Sequence, residues 1–499
     1  FRERARTIIK QLPTEQLALL SAYTRGVNAG IYHLKAAPFE YLLLQQDPVE
    51  WQEEDTILTV LSMYLDLQYR QGEREQTLGL MKSSLPTEIY QFLNPKGSIW
   101  DAAIDGTKYQ PSPLPKATWT SAAEKKLIDG IAQQVNISNS LFTPDAEKYQ
   151  SDLLPGSNNW AVSGKISTTG SAIVANDMHL GIRVPNTWFR ASFEYPAENN
   201  EQAVKVTGLT LPGTPAMVAG SNGHIAWGFT NSYGDWSDVV ILETSADQQQ
   251  YLTPAGFVDF TEHKQIIAVK DSESVEVTLK ETIWGPVIGR NENNQLLAYR
   301  WVAHDIQAVN FQHTQLEQAK NVDDAFKIAA TAGIPAQNMM VGDKAGNIGW
   351  TIMGPIPRKS ATFGDVPTSW ADGKNSWLGY LSTAEYPKIK NPTNHRLWTA
   401  NSRVVGGEMV EKLGNGGYAL GARAQQIKQR LFEQNEFNEE ALLQIALDNE
   451  AIFLARWQTL ILDKVLTEKA IKNKPQWQLA KTLLQTKPLR ADIDSVAYR

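Results

Sequence analysis

Apolar residues recur at helical spacing through residues 1–93. Leu17, Leu19, Leu20, Tyr23 and Val27 form one stripe; Ile57, Val60, Leu61, Tyr64, Leu65 and Leu67 form another. Pro48 stands shortly before the second, a helix-start signal. Residues 94–118 hold Asn94-Pro95-Lys96-Gly97 and then Pro111, Pro113 and Pro115, which predict an irregular connection. A short amphipathic helix is expected over 122–134, then a polar segment over 135–156, the kind of stretch where nicking concentrates. Beyond residue 156 the pattern changes. Short runs rich in β-branched and aromatic residues predict strands over 160–162, 171–175, 204–209, 224–230 and 239–243. Runs 266–269 and 275–279 flank Asp271-Ser272-Glu273, and runs 338–341 and 347–353 flank Asp343-Lys344-Ala345-Gly346; both read as hairpins. Helical spacing returns over 322–332. A last helix is expected from the N-cap residue Asn438 through Ala441, Leu442, Ile445 and Ala446 towards Leu466. Helices, then a large and mostly antiparallel strand region, then helices make an α+β pattern.

Composition narrows the function classes. A chain of 499 residues exceeds one ordinary core, and 42% hydrophobic with 20% charged residues is globular. The balance of 47 basic against 54 acidic residues, net −7, argues against nucleic acid and against a polybasic membrane contact. No run of 18 apolar residues occurs, so no membrane-spanning helix and no membrane partner are expected. The absence of cysteine excludes disulfides, thiolate catalysis and cysteine-based zinc sites, and leaves the compartment open. The chain begins at Phe1 without an initiator Met and stops at Arg499 without a helix cap, which predicts a fragment of a longer precursor.

The seven histidines lack the zinc-helix spacing. Ala219-Gly220-Ser221-Asn222-Gly223 has Ala where a nucleophile elbow needs its first Gly, and no phosphate-binding glycine loop exists. A different serine draws attention. In Leu153-Leu154-Pro155-Gly156-Ser157-Asn158-Asn159-Trp160, a Gly-Ser joint precedes a short apolar strand. Cut between Gly156 and Ser157, the chain would give Ser157 a free α-amine, whose reference pKa is roughly 7.7–8.0. One residue would then carry both nucleophile and base. An ordinary loop before a strand is the other reading. Further on, Asp235 and Asp238, with the Ser237 carbonyl between them, offer hard oxygen ligands of the type calcium takes. Asp side chains capping their own loop give the same spacing.

Five blocks in order resemble the penicillin acylase family of N-terminal nucleophile (Ntn) hydrolases, on the branch of acyl-homoserine lactone and cephalosporin acylases. They are Gly156-Ser157-Asn158-Asn159-Trp160; Asn176-Asp177-Met178-His179-Leu180; Asn222-Gly223-His224-Ile225-Ala226-Trp227-Gly228; Ala336-Gln337-Asn338 with Gly346-Asn347-Ile348-Gly349; and Thr399-Ala400-Asn401-Ser402-Arg403. The resemblance implies an Ntn-hydrolase αββα sandwich with largely antiparallel sheets. It divides the chain into a helical α-chain segment (1–135), a spacer ending at the autocleavage site (136–156), the N-terminal part of the β-chain core (157–435) and a further helical segment of the β-chain (436–499).

By the same resemblance the activity is that of an amidohydrolase acting on an N-acylated small molecule, with acyl-homoserine lactones or β-lactam acyl side chains as substrates. Autocleavage at Gly156–Ser157 would create the Ser157 nucleophile, and α- and β-chains of one precursor would form a heterodimer. The position of His179 carries Gln in penicillin G acylases and His in the other branch. Asn231 would give a backbone N–H, and Asn338 its side chain, to the oxyanion. Arg358 would orient Asn338. Leu180, Val218, Ala219 and Phe229 fall at acyl-pocket positions, and Ala219 in place of an aromatic residue predicts room for a longer aliphatic chain. A structural calcium would bind Asp235, Ser237, Asp238 and Glu73, with Glu75 the alternative if the alignment slips; no organic cofactor is implied. The family mostly acts outside the cytoplasm, so a periplasmic or secreted location is expected. The competing class is an uncleaved, non-catalytic acylase-like binding or scaffold protein.

Overall fold

The helical periodicity of the first segment produces six helices: α1 (Arg2–Ile9), α2 (Thr14–Tyr32), α3 (Phe39–Leu44), α4 (Glu53–Gln68), α5 (Gln71–Ser84) and α6 (Thr87–Leu93). Pro13, Pro38 and Pro86 stand at the N-caps of α2, α3 and α6, where the missing N–H is not needed. Helix α4 opens on Glu53, Glu54 and Asp55 at its positive end and buries Ile57, Val60, Leu61 and Tyr64. Tyr64 then donates to the Ala308 carbonyl at 2.8 Å, docking this helix on the strand region.

The computed structural model describes residues 1–68, 70–116, 156–182, 184–196, 203–360, 364–486 and 489–495. The helix expected over 122–134 and the spacer up to residue 155 lie outside the described residues.

The strands are, in order, β1 (Gly156–Val162), β2 (Ile173–His179), β3 (Phe189–Tyr195), β4 (Val204–Thr210), β5 (Met217–Ser221), β6 (Ile225–Asn231), β7 (Ser237–Ile241), β8 (Gln250–Thr253), β9 (Gly256–Asp259), β10 (Thr261–Ile267) and β11 (Val275–Thr282). They continue with β12 (Gly285–Arg290), β13 (Leu296–Trp301), β14 (Gln337–Asp343), β15 (Ile348–Met353), β16 (Pro357–Lys359), β17 (Thr368–Ser369), β18 (Trp377–Tyr380), β19 (Lys388–Lys390) and β20 (Arg396–Thr399). Both expected hairpins form, as β10–β11 and β14–β15.

Seven strands make one antiparallel sheet in the order β19-β15-β14-β6-β5-β4-β3, and a small sheet, β2-β1-β20, packs on it through β1 against β6 and β14. A third sheet, β10-β11-β12-β13-β7-β17, is antiparallel except at β17. Helix α7 (Val322–Ala329) covers the far face of the seven-stranded sheet and is capped by the Asn321 side chain, which accepts the Asp324 N–H. Gly349 lets it approach, since a Cβ there would stand 2.5 Å from the Phe326 ring. On the opposite side, after α8 (Gly407–Leu413), helix α9 (Ala422–Phe432) lies on β1 and β20. Helix, sheet, sheet and helix thus stack in four layers, the α+β architecture expected. Trp160, Trp350 and Trp398 are almost fully buried between them. Each such side chain contributes roughly 1.5–3 kcal/mol of burial.

One element differs. Asn438 caps a helix as expected, its Oδ1 accepting the Ala441 N–H at 2.8 Å, but that helix ends at Ala446 instead of running towards Leu466. Asp448 accepts from the Glu450 N–H and from Arg430, and Asn449 and Ala451 pair with the chain at 489–491. Local side-chain and long-range backbone partners here replace the helical ladder.

Candidate active site

Strand β1 is central in the small sheet, yet its two neighbours stop at different places. Against β2 it pairs from Gly156↔His179 onward; against β20 it pairs only from Asn159↔Thr399. Continued by two residues, the β20 register would set Asn401 opposite Ser157. There the chain turns away, with Asn401 at φ 65°, a left-handed conformation Asn tolerates better than most residues. Its side chain takes over from the ladder. Asn401 Oδ1 accepts the Ser157 N–H at 2.7 Å, and Asn401 Nδ2 donates to Ser157 Oγ at 3.1 Å and to the Asn231 carbonyl at 3.0 Å. Ser157 Oγ also accepts the Asn231 backbone N–H at 3.2 Å. Arg423, in the first turn of α9, donates to the Ser157 carbonyl (3.0 Å), to Asn158 Oδ1 (2.6 Å) and to Asn401 Oδ1 (2.9 Å). Burial lowers the Arg423 pKa from its ordinary value.

Asn401 and Arg423 were not singled out as site residues by sequence. The block containing Asn401 was visible; the register position that gives it a role was not. Arg423 lies in an ordinary amphipathic helix and carries no motif.

The Gly156–Ser157 bond lies among these groups. A Cβ on Gly156 would stand 3.4 Å from His179 Nδ1, 3.5 Å from Arg423 Nη2 and 3.6 Å from Asn401 Oδ1. His179 is partly exposed at the end of β2, with Nε2 2.8 Å from Asp177 Oδ2; Asn158 Nδ2 donates to the same oxygen at 3.1 Å. These hydrogen bonds, His179 first, outweigh desolvation and hold the Asp177 carboxyl below its ordinary pKa.

Asn338 is buried on β14, opposite Thr230 of β6. Its Nδ2 donates to Thr230 Oγ1 at 3.1 Å, and its Oδ1 accepts the Trp350 indole N–H at 3.1 Å. Orientation of Asn338 by Arg358 is not what the structure contains. Arg358 points instead to Glu385, 2.5 Å away, and is partly exposed. Strand β16 pairs with β18, outside the seven-stranded sheet, and so carries Arg358 away from β14.

Asn176 ties the two sheets together. It accepts the Phe229 N–H (3.1 Å) and donates to the Phe229 and Asn158 carbonyls (2.9 and 3.0 Å). Gly228 leaves room for it: a Cβ there would meet Asn176 Cβ and Oδ1 at 2.8 Å. Gly228→Ala is expected to cost roughly 1–3 kcal/mol of stability, read as a lowered melting temperature. An unchanged melt would mean that the Asn176 bridge relaxes freely.

Gly156 and Ser157 open onto an apolar pocket. Its wall includes Val60, Met63 and Leu67 of α4, Met178, Leu180, Trp188, Val218 and Phe229. Buried His313 also lines it; desolvation lowers its pKa to about 4, so it is neutral at pH 7. Leu180, Val218 and Phe229, implied for an acyl pocket, line this wall. Ala219 does not line this wall: it follows Val218 in β5, and successive strand side chains point to opposite faces.

The residues implied for calcium also converge, with two corrections. Glu73 is exposed on α5; Glu75, two residues on, is buried and accepts the Val239 N–H at 2.9 Å. At the centre stands a side chain the sequence did not signal. Lys359 Nζ is 2.7 Å from Asp235 Oδ2, 2.9 Å from Asp238 Oδ2 and 3.5 Å from the Ser237 carbonyl oxygen. An ammonium there fills the space and brings the charge that a metal ion would, so this donor set does not fit calcium. Among the described residues, no group of three or more His, Cys, Asp or Glu side chains forms a metal site, and no helix is long and apolar enough to cross a membrane.

Comparisons with known proteins agree with this architecture. The acyl-homoserine lactone acylase QuiP of Pseudomonas aeruginosa is 24% identical over 454 residues, covering 88% of this chain and 51% of the relative. The penicillin acylase 2 proenzyme of Pseudomonas sp. strain SE83 is 24% identical over 419 residues, covering 79% and 49%. The chain thus spans about half the length of these curated relatives. A thermostable penicillin G acylase from Alcaligenes faecalis shares the fold, with a TM-score of 0.55 at 19% identity over 67% of this chain and 59% of that one. The penicillin amidase family profile matches residues 1–498, and with a serine held at the mouth of an apolar pocket between two antiparallel sheets, this chain belongs to the penicillin amidase family.

Proposed function

We propose that this chain forms part of an amidohydrolase that removes an apolar acyl group from a small N-acyl amide, with Ser157 as nucleophile after cleavage of the Gly156–Ser157 bond. One observation carries the proposal: the Ser157 nitrogen is anchored at 2.7 Å on Asn401 Oδ1 while its hydroxyl receives the Asn231 N–H, beside the apolar pocket. In maturation, Ser157 Oγ attacks the Gly156 carbonyl carbon. The acyl group moves from nitrogen to oxygen, the nitrogen becomes a free amine, and water hydrolyses the ester. Asn401 would then hold that amine beside its own hydroxyl.

In turnover the amine takes the hydroxyl proton as Oγ attacks the substrate carbonyl. The oxyanion receives the Asn231 N–H and the second N–H of the Asn338 amide, whose first is held by Thr230. Collapse passes the proton to the leaving amine, and water clears the acyl-enzyme. The neutral, apolar wall favours an aliphatic acyl chain, in line with the relative named as an acyl-homoserine lactone acylase.

The test is hydrolysis of a series of N-acyl amides of increasing chain length, alongside N-terminal sequencing for a chain that starts at Ser157. A preference for phenylacetyl over straight chains would defeat the aliphatic assignment. Val218→Phe, adding a ring to the wall, is expected to lower kcat/KM for the longest accepted chain roughly 10–200-fold while sparing short ones. Equal loss across the series would remove Val218 from the acyl site.

A further inference from the structure

We infer that Lys359 is the resident cation of this fold's carboxylate cluster, so that the loop bearing Asp235 and Asp238 is fixed by an ammonium and not by a metal ion. Lys359 ends β16, and its side chain is only 13% exposed. Its ammonium lies 2.7 Å from Asp235 Oδ2 and 2.9 Å from Asp238 Oδ2, so both carboxyl groups meet this nitrogen directly. Trp377 closes one side, its Nε1 donating to Asp238 Oδ2 at 2.5 Å and its ring centroid lying 5.6 Å from Lys359 Nζ. Burial first, then Asp238 and Asp235, raises the Glu75 carboxyl well above its ordinary pKa. Asp235 and Asp238 are the two carboxyl groups in direct contact with the Lys359 ammonium.

The contact joins three parts of the molecule. Gln71 of α5 donates to the Gly234 carbonyl (2.9 Å) and accepts the Trp236 N–H (3.2 Å), and Glu75 holds Val239. Lys359 brings in β16. The loop so fixed begins directly after Asn231, whose N–H reaches Ser157 Oγ.

The experiment uses the purified protein, dialysed against EDTA and then supplied with calcium. The wild type is expected to retain no stoichiometric calcium by elemental analysis and to melt at one temperature in both buffers. Lys359→Met, which leaves the buried Asp238 and the half-buried Asp235 without a cation, is expected to melt at least ~5 °C lower. One calcium per chain surviving dialysis, a wild-type melt ~5 °C lower in chelator, or a Lys359→Met melt equal to wild type would each overturn the inference. If Lys359→Met does not fold, the two wild-type measurements decide. Neither depends on the acylase reading, because neither measures activity.

Discussion

Ser157→Ala is expected to give one uncut chain with amide hydrolysis reduced by about 10⁶, the scale seen when a nucleophile that works as a unit with its base is removed. The substitution deletes the oxygen to which the proposal assigns the attack in both maturation and turnover. It leaves the Ser157 nitrogen on Asn401 and changes none of the apolar side chains of the pocket wall. Its structural cost is bounded. Two buried donors, the Asn231 N–H and Asn401 Nδ2, lose an acceptor, which costs roughly 1–3 kcal/mol for each unpaired group. A melting curve separates that cost from lost chemistry. Ser157→Cys adds a control, because the chain has no other cysteine and a mature thiol would be the single labelling site. Two fragments on a denaturing gel of Ser157→Ala, or hydrolysis near the wild-type rate, would remove Ser157 from the mechanism. An uncut and inactive wild type would favour the scaffold reading.

The second large effect is at Asn401. Asn401→Gly keeps a residue that accepts φ 65° and deletes only the amide, so backbone strain does not enter. The amide makes four of the contacts that set Ser157: to its nitrogen, to its hydroxyl, to the Asn231 carbonyl and to Arg423. Without it the amine is no longer fixed against the hydroxyl. The expected loss is roughly 10²–10³ in kcat, with KM little changed because Asn401 is not in the pocket wall. Cleavage at Gly156–Ser157 should slow with it. A variant within tenfold of wild type in kcat would show that Asn401 is a packing residue only. Arg423→Lys is the companion: a lysine cannot reach three acceptors as the planar guanidinium does, so a smaller loss of the same kind is expected.

Legibility followed the range of the interactions concerned. Ser157, its strand and the block around Asn231 are encoded locally, as a Gly-Ser joint, an apolar run and a turn-strand motif. Both hairpins were readable because their turns and their alternation lie within a few residues. The long terminal helix was over-read: helical spacing continues past Ala446, but Asp448 finds partners on α9 that no local pattern announces. Arg358 was assigned by its place in a motif, and strand pairing sent it to Glu385. Glu73 and Glu75 differ by two residues on one helix, which moves the side chain about half a turn around the axis and from solvent to core.

The sequence by itself determined the α+β class, the absence of thiol chemistry and the serine on which a new N-terminus would carry its own base. Those depend on residue identity and short-range periodicity. Only the tertiary structure decided what surrounds that serine. Asn401 lies 244 residues away and Arg423 lies 266 away from their Ser157 contacts. They reach it because β20 ends two residues short on β1 and α9 crosses the small sheet. Lys359 meets the buried Asp238 and the half-buried Asp235 because carboxylates withdrawn from water demand a counter-charge from whichever element the fold brings past them.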